Sequence, residues 1–263
     1  MDFQEEVLIV IKSKREIAAL RAAGNIVALT FKEIEKGIQP GVELKKLDKI
    51  AEQFISSHGA KTLYKGIRQR PHQRPFPGVI TTSINNEICH GIPDDRVLKN
   101  GDIVGVDIGL KYKGWCGDSC ITYLIGKVRP EVRKLVKVAR ECLMAGIAVS
   151  KPGNHIGAIG TAIELYAKER GYSVVREYGG HGIGRNLWEE PFIPHIGPSN
   201  RGPVLQEGMV INIEPMINIG KPDTHLKKDE WTVVTADGSL SAQFEQTIAI
   251  TKGEPEILSV VYK

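Results

Sequence analysis

Cysteine is scarce in this chain: four among 263 residues, at Cys89, Cys116, Cys120 and Cys142. None of their spacings is a CxxC or a metal knuckle, which argues against a thiolate zinc site and gives no disulfide framework. They read as reduced thiols packed as small hydrophobes, the usual state in the cytoplasm. Long apolar runs are missing too. The first one, residues 7–11, falls far short of the roughly 20 residues that span a bilayer, so no membrane partner is expected. The opening Met1-Asp2-Phe3-Gln4-Glu5-Glu6 is acidic where a secretory leader would be basic. Charge of one sign is not in excess: the net charge of +4 does not by itself imply nucleic-acid binding. Low-complexity tracts and long linkers are likewise absent. What remains has ordinary globular composition and enough length for one large domain or two fused halves.

Ser13 and Glu16 have the spacing of a capping box. Behind them Ile17, Leu20, Gly24, Val27, Phe31 and Ile34 fall on one helical face, and Pro40-Gly41 stops the segment. A second helix carries Leu44, Leu47, Ala51 and Phe54 on one side and ends near Gly59. The same pattern then returns. A shift of 112 carries Pro40-Gly41 onto Pro152-Gly153, Leu44 onto Ile156, Leu47 onto Ile159 and Gly59 onto Gly171. A shift of 107 carries the stretch from Leu98 to Asp107 onto that from Leu205 to Glu214, each an apolar strand ending on an acid. His-Gly-Ile also occurs twice, at His90 and His181. Two copies this long indicate duplicated halves rather than a solenoid. Helices grouped before strands predict an α+β fold with a largely antiparallel sheet. Residues 1–263 are expected to form a single domain with halves at about 13–125 and 130–252.

The acids carry the chemistry. Asp107 and Asp118 flank a turn expected at Tyr112-Lys113, which would set them directly opposite each other, about 4.5–5.5 Å apart at Cβ. Two carboxylates that close repel unless a proton or cation lies between them. Glu214 and Glu245 offer a similar pair on later strands, and His181 stands among glycines. A lone strand acid commonly marks a turn or an edge, but acids repeated at matching positions in apolar strands have no packing rationale. Four carboxylates and one imidazole suit a pair of divalent ions such as Co, Mn, Fe or Zn. Two such ions can share a hydroxide and polarise a carbonyl.

With these residues in view, the chain resembles the type I methionine aminopeptidases of the pita-bread metallopeptidase group, over nearly its whole length. The resemblance rests on Cys89-His90-Gly91-Ile92-Pro93-Asp94, Val106-Asp107-Ile108-Gly109, Gly117-Asp118, residues 179–185, Ile213-Glu214-Pro215-Met216 and Ser241-Ala242-Gln243-Phe244-Glu245. It implies a pita-bread fold: two pseudo-twofold halves around a curved sheet. It implies that Asp107, Asp118, His181, Glu214 and Glu245 bind two metals. It further implies that His90 hydrogen-bonds substrate and that Glu214 is the acid-base group. The expected activity is removal of initiator methionine from nascent polypeptide N-termini when the second residue is small, by a monomeric cytoplasmic enzyme. Thr81 and Trp231 fall in the methionine pocket, to which Tyr64 would add.

Departures from the family pattern accompany the match. Trp188 replaces the second active-site His, Gln246 stands where His is common, and Thr81 and Leu187 replace the Cys and Phe of many bacterial members. Residues 65–78 form a basic, Pro-rich loop that could contact ribosomal RNA. Two other readings stay open: an X-Pro peptidase of the same fold, whose members usually carry an extra N-terminal domain, and a non-catalytic binding protein on that fold.

Overall fold

The computed structural model describes residues 8–259; the acidic stretch 1–6, and Val7 with it, lie outside them. Helix α1 (Lys14–Glu35) opens on the expected capping box: the Ser13 side chain accepts from Glu16 N while the Glu16 carboxylate accepts from Ser13 N. It ends five residues before Pro40, and Leu20, Gly24, Val27, Phe31 and Ile34 are buried as expected. Helix α2 (Leu44–Ser57) buries Leu44, Leu47, Ala51 and Ile55. Phe54, expected on that face, instead lies at its edge with its ring 4.2 Å from that of His58. The strands β1 (Lys61–Thr62), β2 (Thr81–Ile84), β3 (Glu87–Cys89), β4 (Ile103–Tyr112) and β5 (Trp115–Leu124) complete this half.

The second half repeats the order. Helices α3 (Pro130–Ala148) and α4 (Ile156–Lys168) are followed by β6 (Ser173–Val174), β7 (Gly180–Gly182), β8 (Glu189–Ile193) and β9 (Val210–Ile213). Then come β10 (Met216–Asn218), β11 (Thr224–Leu226), β12 (Val233–Thr235), β13 (Ser241–Gln243), β14 (Glu245–Ala249) and β15 (Glu256–Ile257). The repeat extends to single hydrogen bonds. Gly41 N donates to Leu98 O and Leu44 N to Arg96 O; Gly153 N donates to Leu205 O and Ile156 N to Pro203 O.

Among the described residues all strand pairs are antiparallel. Nine strands form one sheet with the central order β1-β4-β5-β14-β9-β7-β8; β2 also pairs β4, and β15 pairs β14. β14 joins the halves, because it pairs with both β5 and β9. One continuous core of buried aliphatic side chains draws on all four helices and the sheet. All four cysteines are free and buried, and burial raises each thiol above its ordinary range. Among the described residues no helix is long and apolar enough to cross a membrane.

Candidate metal centre

The β4–β5 hairpin turns at Lys113-Gly114, both with positive φ, the geometry of a two-residue turn matched to strand twist. The turn therefore sits one residue later than expected from the sequence, and the register moves by two. Asp107 faces Cys120, and Asp118 faces Gly109. The two acids are diagonal neighbours on one face, not opposed. Gly109 matters because a Cβ there would lie 2.8 Å from the Tyr64 ring. Its absence lets Tyr64 lie across the strand, with its hydroxyl 2.8 Å from Asp107 Oδ1 and 2.9 Å from Asp118 Oδ1.

β14 and β9 bring in the second pair. Glu245 is the first residue of β14 and Glu214 follows the last residue of β9. His181, on β7, has its Nε2 3.7 Å from Asp118 Oδ2 and 3.8 Å from Glu214 Oε1. Its Nδ1 lies 2.9 Å from Gly182 O, and a carbonyl only accepts, so Nδ1 carries the proton. That leaves the Nε2 lone pair pointed at the acids, as a metal ligand requires. Asp118, His181 and Glu245 offer ligand atoms all within 4.8 Å of one another. Asp107 lines the same pocket.

Four residues that the sequence reading left out of the acid cluster hold it in place. Asn212 Nδ2 donates to Asp118 Oδ2 (3.1 Å) and to Glu245 Oε1 (2.8 Å). The Thr247 hydroxyl, 2.7 Å from Asn212 Oδ1, fixes which end of that amide faces the acids. Gln243 Nε2 donates to Glu214 Oε2 at 3.2 Å, and His195 Nε2 accepts from Glu214 N at 3.3 Å. A signal for two of these was available. Asn212 and Gln243 each stand two residues before an acid, hence on the same strand face.

Burial is the main force on these groups. It pushes Asp107 up to about 7 and holds Asp118, Glu214 and Glu245 well above the usual carboxylate range, with mutual repulsion adding to it. It lowers His181 to about 4, keeping the imidazole neutral. The donors that surround the acids are neutral, so nothing among them offsets four ionised carboxylates, and burial favours the protonated forms. An oxygen-rich cluster with one neutral nitrogen, whose acids ionise together only beside positive charge, fits divalent cations.

Next to the acids lies the pocket. His90 lines it and sits at φ 55, its ring 6.2 Å from that of Tyr178; burial lowers it to about 4. Thr81 and Trp231 line it too, with Tyr64 and Phe76. Trp231 meets Phe76 edge-on at 5.2 Å, and Leu187 is buried in the same cluster. Trp188 stands at the rim, 47% exposed. Its loop is pinned from below: Lys12 is 5% exposed and its Nζ lies 2.7 Å from Glu189 Oε2. Gln246 leaves the site. Strand alternation turns it from the acids into the core, where its Oε1 accepts from Ser259 Oγ at 2.8 Å.

The basic loop of residues 65–78 is not a free solvated excursion. Gln73 and Phe76 within it are buried, and Ile67, Gln69 and Phe76 form part of the pocket wall.

Duplicated strand pairs that converge their acids on one imidazole beside an aromatic side-chain pocket define a class, the metal-dependent peptidases. The chain belongs to metallopeptidase family M24, whose model matches residues 18–252. Methionine aminopeptidase 1 of Bacillus subtilis is 47% identical over 254 residues, covering 97% of this chain and all of that one. A methionine aminopeptidase from Rickettsia prowazekii, solved by crystallography, superposes with a TM-score of 0.90 at 43% identity, covering 96% of this chain and 100% of that one. An Xaa-Pro dipeptidase from Bacillus anthracis shares the fold alone: TM-score 0.77, 23% identity, and only 63% of that chain covered.

Proposed function

We propose that this chain is a methionine aminopeptidase that removes initiator methionine from nascent polypeptides whose second residue is small. The observation that carries the reading is the junction of the acid cluster with an aromatic pocket through one residue, Tyr64. Asp107, Asp118, His181, Glu214 and Glu245 would hold two divalent ions of the Co, Mn, Fe or Zn type. When bound, such ions supply an acidified water and a polarised carbonyl.

The chain's own residues do the rest. Trp231, Phe76 and Thr81 take the methionine side chain, which places the first peptide carbonyl over the acids. His90, kept neutral by burial, donates a hydrogen bond to the carbonyl oxygen as charge builds there. Water adds to the carbonyl carbon and the C–N bond breaks. Glu214 accepts the proton from water and returns it to the leaving amine. On this reading the chain works in the cytoplasm as a monomer of one catalytic domain. The exposed Lys65, Arg68, Arg70 and Arg74 near the pocket mouth suit contact with ribosomal RNA.

The test is methionine release from Met-Gly-Met with added Mn or Co, and its loss with chelator. An X-Pro dipeptide serves as the control substrate; cleavage of that peptide alone would refute the reading. Asp118→Asn should keep the fold and lose both bound metal, by elemental analysis, and activity. A fully active Asp118→Asn enzyme rules out the ligand assignment.

A further inference from the structure

The 65–78 loop is fastened to a second segment, the turn that carries Trp231. Its base is closed by Gly66 N donating to Phe76 O and Phe76 N donating to Ile67 O. Its tip turns at His72, with φ 64. Gln73 lies inside the tip, 5% exposed, with every hydrogen-bonding end used. Its Oε1 accepts from Gln69 N (2.8 Å) and Arg70 N (3.2 Å), and its Nε2 donates to Glu230 O at 2.7 Å.

The other side of the junction is set to receive it. Glu230 sits at φ 71, an uncommon conformation for a residue with a side chain. Its carbonyl accepts from Gln73 and, at 3.2 Å, from Arg70 Nη2; its carboxylate accepts from Arg74 N at 2.9 Å. The next residue, Trp231, donates its indole N–H to Arg74 O at 2.8 Å. Asp229 holds the turn itself by accepting from Trp231 N and Thr232 N. Gln73 thus links the loop bearing Ile67, Gln69 and Phe76 to the turn bearing Trp231. All four of these side chains line the pocket.

We propose that Gln73 is a specificity-determining positioning residue: its clasp on the Glu230 carbonyl holds Phe76 and Trp231 at the spacing that accepts a methionine side chain. This rests on the methionine aminopeptidase reading above. Gln73 touches neither substrate nor the acids. A loosened clasp therefore weakens methionine capture and leaves the hydrolytic step, built on β4, β5, β7, β9, β14 and His90, as it was. Few neighbours can substitute. Arg70 also donates to the Glu230 carbonyl, but from an exposed side chain at 3.2 Å, whereas Gln73 donates at 2.7 Å from inside the tip, where a hydrogen bond counts for more. The flanking Pro71, Pro75 and Pro77 restrict the rest of the loop, so the clasp orders little additional chain.

Two variants test it on the metal-loaded enzyme. Gln73→Ala removes both functions of the amide. Gln73→Glu keeps the acceptor for Gln69 N and Arg70 N and removes the donor to Glu230 O. For each, kcat and KM are measured on Met-Gly-Met and on Ala-Gly-Met, and hydrogen exchange is followed in the loop peptide. The expected result is a KM for Met-Gly-Met raised about 10-fold, the worth of one buried hydrogen bond, with kcat nearly unchanged. Met-over-Ala selectivity falls with it, and exchange at Gln69 and Arg70 quickens in Gln73→Ala. If Gln73→Ala does not fold, Gln73→Glu alone decides. A folded variant with wild-type KM and wild-type selectivity overturns the clasp. A wild-type enzyme that releases no methionine overturns the reading beneath it, a distinguishable failure.

Discussion

The Tyr64 hydroxyl oxygen lies 2.9 Å from Asp118 Oδ1, and that same oxygen is 2.8 Å from Asp107 Oδ1. A phenol has one proton to give. Two ionised acids cannot both be satisfied by it, so one must carry a proton or both must share a cation. Tyr64→Phe keeps the ring against Gly109 and Phe76 and removes the hydroxyl. With chelator present, its unfolding free energy in urea should fall by about 1–3 kcal/mol, the cost of an unsatisfied buried acceptor. An unchanged transition midpoint and slope would contradict the shared-proton arrangement.

The acids also set a pH dependence. Asp107 has its folded value raised to about 7, from an unfolded value near 3.8. Between these values the folded state holds a proton that the unfolded state has lost, so stability falls as pH rises. The contribution is fully present below about pH 4 and lost as pH climbs through about 7. His181 acts in the opposite sense. Its folded value is lowered to about 4, so the unfolded state binds the extra proton and stability rises from there to about pH 6.5. Comparing metal-free wild type with Asp107→Asn cancels the His181 contribution and leaves that of Asp107 together with the repulsion it exerts on Asp118, Glu214 and Glu245. Relative to the variant, the wild type should lose up to about 1.4 kcal/mol per pH unit across that window. A flat difference would mean that Asp107 titrates at its ordinary value.

Lys12 and Glu189 form an ion pair with only 3% and 13% of their side chains exposed. It ties the first described residues to the loop that carries Trp188. Lys12→Met leaves the partly buried Glu189 charge to its backbone donor, Asn186 N, and thermal or urea unfolding should show a loss of about 1–3 kcal/mol. Adding Glu189→Gln to it should restore part of that loss, which a double-mutant cycle measures.

Trp188, where the resemblance implies a second active-site His, stands at the rim and half exposed. An indole donates one hydrogen bond and accepts none. Trp188→His should raise kcat and kcat/KM together by about 10–100-fold if the missing donor acts on the developing oxyanion. A fall in KM alone would instead mark Trp188 as a barrier to the second residue. Met-Gly and Met-Val peptides at matched metal content separate these outcomes.

Much of the fold was legible because it is local. α2 and α4 begin 112 residues apart, at Leu44 and Ile156, and β4 and β9 begin 107 apart, at Ile103 and Val210, as the sequence shifts require. The four acids were legible from their place in repeated apolar strands, and His181 from its glycine-rich surroundings. The placement of Phe54 was not, because Ile55 is only one position away on the same helical arc and packing chose between them. The β4–β5 register was not, because one residue in the turn moves the pairing by two.

By itself, then, the sequence determined the elements, the duplication and the set of acids, since helical period, strand alternation and positive-φ glycines act over a few neighbouring residues. Tertiary structure alone decided which groups meet. Asn212 lies 94 residues from Asp118 and Gln73 lies 157 from Glu230. Contacts at such separations leave no periodic trace in the chain. They follow from where β14 joins the halves, and from the burial of a polar loop tip that forces each of its hydrogen bonds to find a partner.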